Sequence, residues 1–154
     1  MTKLRYLIIP IGVILFVVGA FFANQADLAA MQNNSSSSVV GLAAMKRTAE
    51  NSLTYQKALE NGKPTLVEFY ADWCTTCQAM APLIENFAYS YEEKMNFVTV
   101  NIDEPQQQGL IKEYEVTGVP QFTFINSQQE VVRTLVGRVP ESIMAEQLSL
   151  TIDS

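Results

Sequence analysis

Histidine is absent from this 154-residue chain, which removes the Ser–His and Cys–His pairs that activate most side-chain nucleophiles. Cysteine is scarce: Cys74 and Cys77 are the only two, and without histidine they are the only Cys or His ligands in the chain. Tetrahedral structural zinc takes four Cys or His ligands, so two thiols argue against a metal site within one chain. Positive charge is also in short supply, with 10 Lys and Arg against 16 Asp and Glu. All the acidic residues and all but two of the basic ones lie beyond residue 23. An acidic surface repels phosphate backbones, so nucleic acid is not an expected partner. No internal repeat is visible, and the length allows one domain plus an appendage.

Charge is missing altogether between Tyr6 and Ala23, a nearly all-apolar run. Its length sits at the threshold of about 18 residues for a membrane span. Pro10, Gly12 and Gly19 interrupt it, but a helix in lipid tolerates such residues. Lys3 and Arg5 precede the run, and Asp27 is the first charge after it. The positive-inside rule then leaves the N-terminus in the cytoplasm and the remainder across the membrane. A cleaved signal peptide is the alternative. Its apolar region spans only about 7–15 residues and ends at a small-x-small site, for which Leu28–Ala30 is the nearest candidate. The run is longer than that, which favours an uncleaved anchor over residues 1–23. Either way the rest of the chain is exported, where disulfide chemistry is normal.

Residues 24–47 read as a flexible tether, because Gln32–Ser38 is polar and low in complexity. Short Ala-rich stretches inside it offer only marginal helical turns. The globular part is expected over residues 48–154, long enough to bury one core. Tyr55–Asn61 reads as a short helix closed by Gly62 and Pro64. Thr65–Tyr70 and Asn96–Ile102 read as strands. Between them, Met80, Leu83, Ile84, Phe87 and Tyr91 fall at helical spacing within a helix from Cys77 to about Lys94, which Pro82 should kink. A crossover helix implies that the two strands are parallel. Another helix is expected from Asp103–Pro105 onward. Gln121–Ile125 and Glu130–Val136 read as an antiparallel hairpin, and Glu141–Leu150 as a last helix.

The two cysteines stand at the junction of a buried strand and a helix, in the run Trp73-Cys74-Thr75-Thr76-Cys77. A stabilising disulfide is one reading of such a pair. The loop it would close is very short and constrains little unfolded-chain entropy, so it would be a poor staple. A helix dipole stabilises a thiolate at its N-terminus. Redox exchange is therefore the better reading, and a dithiol needs no cofactor for it.

Val67–Cys77 (VEFYADWCTTC), Ala81-Pro82, Val100–Asp103 and Val116–Pro120 (VTGVP) occur in the order of the thioredoxin motifs. On these residues the chain resembles the thioredoxin superfamily over about Leu53–Leu150. It is also similar to membrane-anchored thioredoxin-like proteins of thylakoid membranes, the TxlA type, and to the C-terminal domain of the transmembrane reductase DsbD. The resemblance implies an α/β thioredoxin fold, a central mixed sheet flanked by helices, behind an N-terminal transmembrane helix. It implies that Cys74 is the nucleophile, Cys77 the resolving thiol, and the pair a redox-active disulfide, with Cys74 the more exposed. Glu68 falls where thioredoxins carry a buried aspartate that handles the resolving thiol's proton. Burial in a strand would raise its pKa, although an exposed glutamate in an edge strand is the alternative. Trp73, Val119 and Pro120 match the substrate-binding edge, with Pro120 at the cis-proline position, where trans would be the default from the residue alone.

Two departures bear on redox potential: Thr75-Thr76 replaces Gly-Pro, and Thr99 stands where a lysine is common. The resemblance implies a protein-disulfide reductase. It would take electrons from a membrane thiol transporter of the CcdA/DsbD type and act on disulfides of exported or lumenal proteins, including apocytochromes. A disulfide-introducing oxidase is the alternative within the class. A non-catalytic assembly module is the alternative outside it; copper-delivering relatives use CxxxC with a distant histidine, which this chain lacks.

Overall fold

The computed structural model describes residues 37–154. The apolar run Tyr6–Ala23 and the first part of the expected tether lie outside the described residues. Among the described residues no helix is long and apolar enough to cross a membrane.

Four strands form one sheet in the order β2-β1-β3-β4: β1 Thr65–Tyr70, β2 Asn96–Asn101, β3 Gln121–Ile125 and β4 Val131–Val136. β1 and β2 are parallel, with Glu68 opposite Thr99. β3 runs antiparallel to both β1 and β4. β1 is central and buried at all six positions, which is why it reads as an unbroken apolar and aromatic run. Alternation along it sends Leu66, Glu68 and Tyr70 to one face and Val67 and Phe69 to the other.

Helices cover both faces. α3 (Thr75–Tyr91) and α5 (Glu141–Ile152) pack on the first, where Leu66, Met80, Ile84, Phe122, Met144 and Leu148 form the main core. α2 (Tyr55–Glu60) and α4 (Gln108–Glu113) lie on the second, over Val67, Phe69, Val98 and Val100. Thr54 caps α2, and Gly62 takes φ +71° just beyond it. The helix expected from Asp103–Pro105 is a short 3₁₀ turn, Pro105–Gln107, leading into α4.

The tether reading fails where it meets the described residues. Residues 37–51 form a continuous helix, α1, rather than a solvated spacer. Gly41, Ala44, Met45 and Thr48 are its buried stripe, at the i, i+3, i+4, i+7 spacing of one helix face. Ala44 and Met45 pack into a cluster with Tyr70, Ala71, Cys74, Cys77 and Ala81.

Proline chemistry and a glycine set the approach of α1 to α3. Pro82 lies inside α3 and has no N–H to donate to the carbonyl of Gln78 four residues earlier. Gly41 closes on that same carbonyl: a Cβ at residue 41 would sit 2.1 Å from Gln78 O. A side chain there must displace α1. Gly41→Ala should therefore lower unfolding free energy by about 1–3 kcal/mol, the usual cost of forcing atoms into a packed contact. Denaturant melts of parent and variant check this, and equal midpoints would show that α1 is not seated as described.

Candidate active site at the head of α3

The site grows from the turn joining β1 to α3. Cys74 N–H donates to Ala71 O at 3.1 Å, and Gln78 N–H to Cys74 O at 3.0 Å, the first bond of the helix. Cys74 has extended backbone and is the N-cap of α3. Its Sγ accepts the backbone N–H of Cys77 at 3.0 Å. A hydroxyl or carboxylate usually fills this role. This cap is why α3 starts at Thr75, two residues before the start read from the sequence.

Cys74 and Cys77 are joined as a disulfide with Cα atoms 5.2 Å apart. Cys77 is fully buried and Cys74 retains 6% of its surface, a smaller difference than the loop-end position of Cys74 suggested. Ala44 and Met45 of α1 pack in the same cluster as both cysteines. On the open side, Cys74 Sγ lies 3.6 Å from the carbonyl oxygen of Val119. The Val119–Pro120 bond is cis.

Glu68 lies on the face of β1 that α3 covers. It is in the central strand rather than an edge and keeps 4% of its surface. Its face neighbours along β1 are Leu66, packed with Met80 and Ile84, and Tyr70, packed with Cys77 and Ala81. Thr99 and Phe122 flank it on the adjacent strands. Its Oε1 is buried without a hydrogen-bond partner. Desolvation raises its pKa from 4.5 to about 8. Tyr70, next on the same face, is pushed up to about 12, by burial first and then by Asp72, Glu104 and Glu68.

Trp73 is 65% exposed, and its indole N–H donates to Asp103 Oδ2 at 2.9 Å, tying the cysteine loop to the loop after β2. With Ile102, Ile111, Val116 and Val119 it lines an open groove of about 280 Å³ beside Cys74. Pro120 is buried behind this surface, so Val119 rather than the proline ring faces the groove. Among the described residues no cluster of His, Cys, Asp or Glu is suited to hold a metal.

Several neighbours escape the motif. Gln78 Nε2 donates to Asp72 O at 2.7 Å, and Lys46 Nζ lies 2.6 Å from Asp72 Oδ2. Asp103 and Lys46 are remote from the cysteines in sequence. Only the helical spacing of the stripe at 41, 44, 45 and 48 could have pointed to α1.

This arrangement can perform dithiol–disulfide exchange. A capped, dipole-facing sulfur supplies the thiolate, a partner sulfur lies within bonding reach, and a buried carboxyl is poised to titrate near neutrality.

Comparison with known proteins agrees. The thioredoxin family model matches residues 45–149. The chloroplastic thioredoxin-like protein HCF164 of Arabidopsis thaliana is 37% identical over 106 residues, which are 69% of this chain and 41% of that protein. The thiol:disulfide interchange protein TxlA of Synechococcus elongatus is 37% identical over 112 residues, 73% of this chain and 59% of that one. The chain thus spans about half the length of these two relatives. Among solved structures, the germline-specific thioredoxin Deadhead of Drosophila melanogaster shares the fold, with a TM-score of 0.55 at 24% identity, over 62% of this chain and 90% of that one.

The buried carboxyl has a consequence for stability. Unfolding returns Glu68 to water, where it ionises near its ordinary 4.5. Between about 4.5 and 8 the folded chain holds a proton that the unfolded chain has released, so stability falls as pH rises through that window. Glu68→Gln should remove this slope. Its stability relative to the parent should rise by on the order of 5 kcal/mol across the window and level off above it. Denaturant melts at stepped pH check this; parallel curves for parent and variant would contradict the burial of an ionisable group here.

Proposed function

The chain belongs to the thioredoxin family, and we propose that it is a membrane-tethered thiol–disulfide oxidoreductase that reduces disulfides of exported or lumenal proteins. The observation that carries this reading is the Cys74–Cys77 disulfide at the capped head of α3, with the Val119 edge beside it and a buried Glu68 on the α3-covered face of β1. The relative named as a thiol:disulfide interchange protein supports the activity. Lys3 and Arg5 before the uncharged Tyr6–Ala23 support the anchor, with the N-terminus cytoplasmic.

In the reduced enzyme the Cys74 thiolate is the nucleophile, stabilised by the Cys77 N–H and the helix dipole. A substrate chain lies along Trp73 and Val119, with its disulfide against Cys74 and Pro120 backing that edge. Cys74 Sγ attacks one substrate sulfur, the substrate S–S bond breaks, and the other sulfur leaves as a thiolate. Cys77 then loses its proton to Glu68 in its ionised form, whose share grows as pH approaches about 8, and attacks Cys74 Sγ. That breaks the mixed disulfide and releases the second substrate thiolate. Two electrons have passed to the substrate, and the enzyme is left as the disulfide. A membrane dithiol donor of the CcdA/DsbD type restores the reduced pair. Apocytochromes, whose cysteines must be reduced before haem attachment, are suitable substrates.

Trapping in intact cells tests roles and location together. Cys77→Ser should accumulate mixed disulfides with exported proteins, because the resolving thiol is missing. Cys74→Ser should trap little. Adding Glu68→Gln to otherwise active enzyme should slow resolution several-fold near neutral pH and much less at alkaline pH, where Cys77 ionises unaided. A better trap from Cys74→Ser would reverse the cysteine roles. Trapped partners confined to the cytoplasm would overturn the topology.

A further inference from the structure

Read from the sequence, the segment Asp72–Met80 holds one acid and no cation. The fold changes that balance. α1 brings Lys46 across 26 residues to Asp72, where Nζ and Oδ2 are 2.6 Å apart. Asp72 lies two residues before Cys74. Its Oδ1 is buried without a hydrogen-bond partner, and its main-chain carbonyl is held by Gln78. The carboxylate is thus held by α1 two residues before the reactive cysteine and is only partly solvated.

Other titratable groups near the pair are acids on β1 and on the loop after β2, and one cation on the cis-proline side, Arg138, which follows Gly137, whose N–H donates to Pro120 O at 2.8 Å. Tyr70 packs with the pair and Glu68 shares its face of β1, while Asp103 and Glu104 come from the loop after β2. Arg47, next to Lys46, is turned away to Glu85 on α3. Lys46 is the cation that α1 delivers to the loop itself. Its placement does not depend on a freely swinging helix, because Gly41 seats against Gln78 and Ala44 and Met45 pack with Cys74 and Cys77.

We propose that Lys46 is a positioning residue for the dithiol: by neutralising Asp72 it stabilises the Cys74 thiolate and raises the reduction potential of the Cys74–Cys77 couple. The inference rests on the exchange chemistry proposed above, but not on its direction or its substrate. Both partners are about half exposed, so the effect is modest and screened by salt. A negative charge beside a thiolate destabilises the reduced form, so loss of Lys46 favours the disulfide.

The test uses the full chain at low ionic strength, with glutathione equilibration and a thiolate absorbance titration of Cys74. Lys46→Gln should shift the glutathione equilibrium about two- to fivefold toward the disulfide and move the Cys74 titration to higher pH. Asp72→Asn should shift both the other way. The double variant, with neither charge, should return near the parent, and Lys46→Arg should match it. Raising the salt concentration should shrink every difference.

Shifts of the two single variants in the same direction, or no shift in either, would overturn the proposal. If Lys46→Gln does not fold, Asp72→Asn with Lys46→Arg still decides it: an Asp72→Asn equilibrium that stays put or moves toward the disulfide refutes charge compensation. None of these readouts needs a protein substrate. Failure to trap exported partners would count against the proposed function and leave this result standing.

Discussion

A sulfur atom serving as a helix cap couples the fold to the chemistry. The Cys77 N–H that points at Cys74 Sγ at 3.0 Å is one of the donors every helix leaves unsatisfied at its start. Satisfying it with sulfur fixes the rotation of α3 and so places Cys77, Met80, Ala81 and Ile84 against the sheet. The same contact offers a hydrogen bond and a dipole to a thiolate once the disulfide is reduced. Loss of this register would displace both the core under α3 and the reactive pair.

Burial of Glu68 is the cost that accompanies this arrangement. A carboxyl in the central strand, without a partner for Oε1, is a destabilising choice for a scaffold. It becomes intelligible under the proposed mechanism, in which the resolving thiol must lose a proton. The desolvation that raises its pKa to about 8 brings it into the range of an ordinary cysteine thiol, as that proposal requires. Thr99 leaves that carboxyl with no cation across the β1–β2 pair. The positive charge appears instead at the loop, where Lys46 meets Asp72.

Elements whose burial is carried by large side chains were legible in the sequence. β1 shows as an unbroken run because both its faces are covered. The β3–β4 hairpin shows because Asn126 and its neighbours turn between two apolar runs, with Asn126 Oδ1 accepting from the backbone of Gln128 and Glu130. The cysteine pair was legible from spacing and from the strand-to-helix junction. α1 was not. Its buried stripe is built from Gly41, Ala44, Met45 and Thr48, which carry little hydrophobic weight and follow a serine run. Small residues suit close approach to α3, and the same smallness hides the helix from a hydropathy pattern. Contacts between distant segments, Lys46 to Asp72 and Trp73 to Asp103, leave no local signature at all.

The position of the couple on the redox scale tests the account most directly. Around Cys74 the protein supplies one backbone donor, a helix dipole and an Asp72 charge already balanced by Lys46. That is moderate stabilisation of the thiolate, well short of what a strong oxidant needs. Equilibration of the Cys74–Cys77 pair against glutathione and dithiothreitol should place it nearer thioredoxin, about −270 mV, than DsbA, about −120 mV. A potential more oxidising than about −180 mV, the figure for protein disulfide isomerase, would contradict a reductase and assign the pair to disulfide formation.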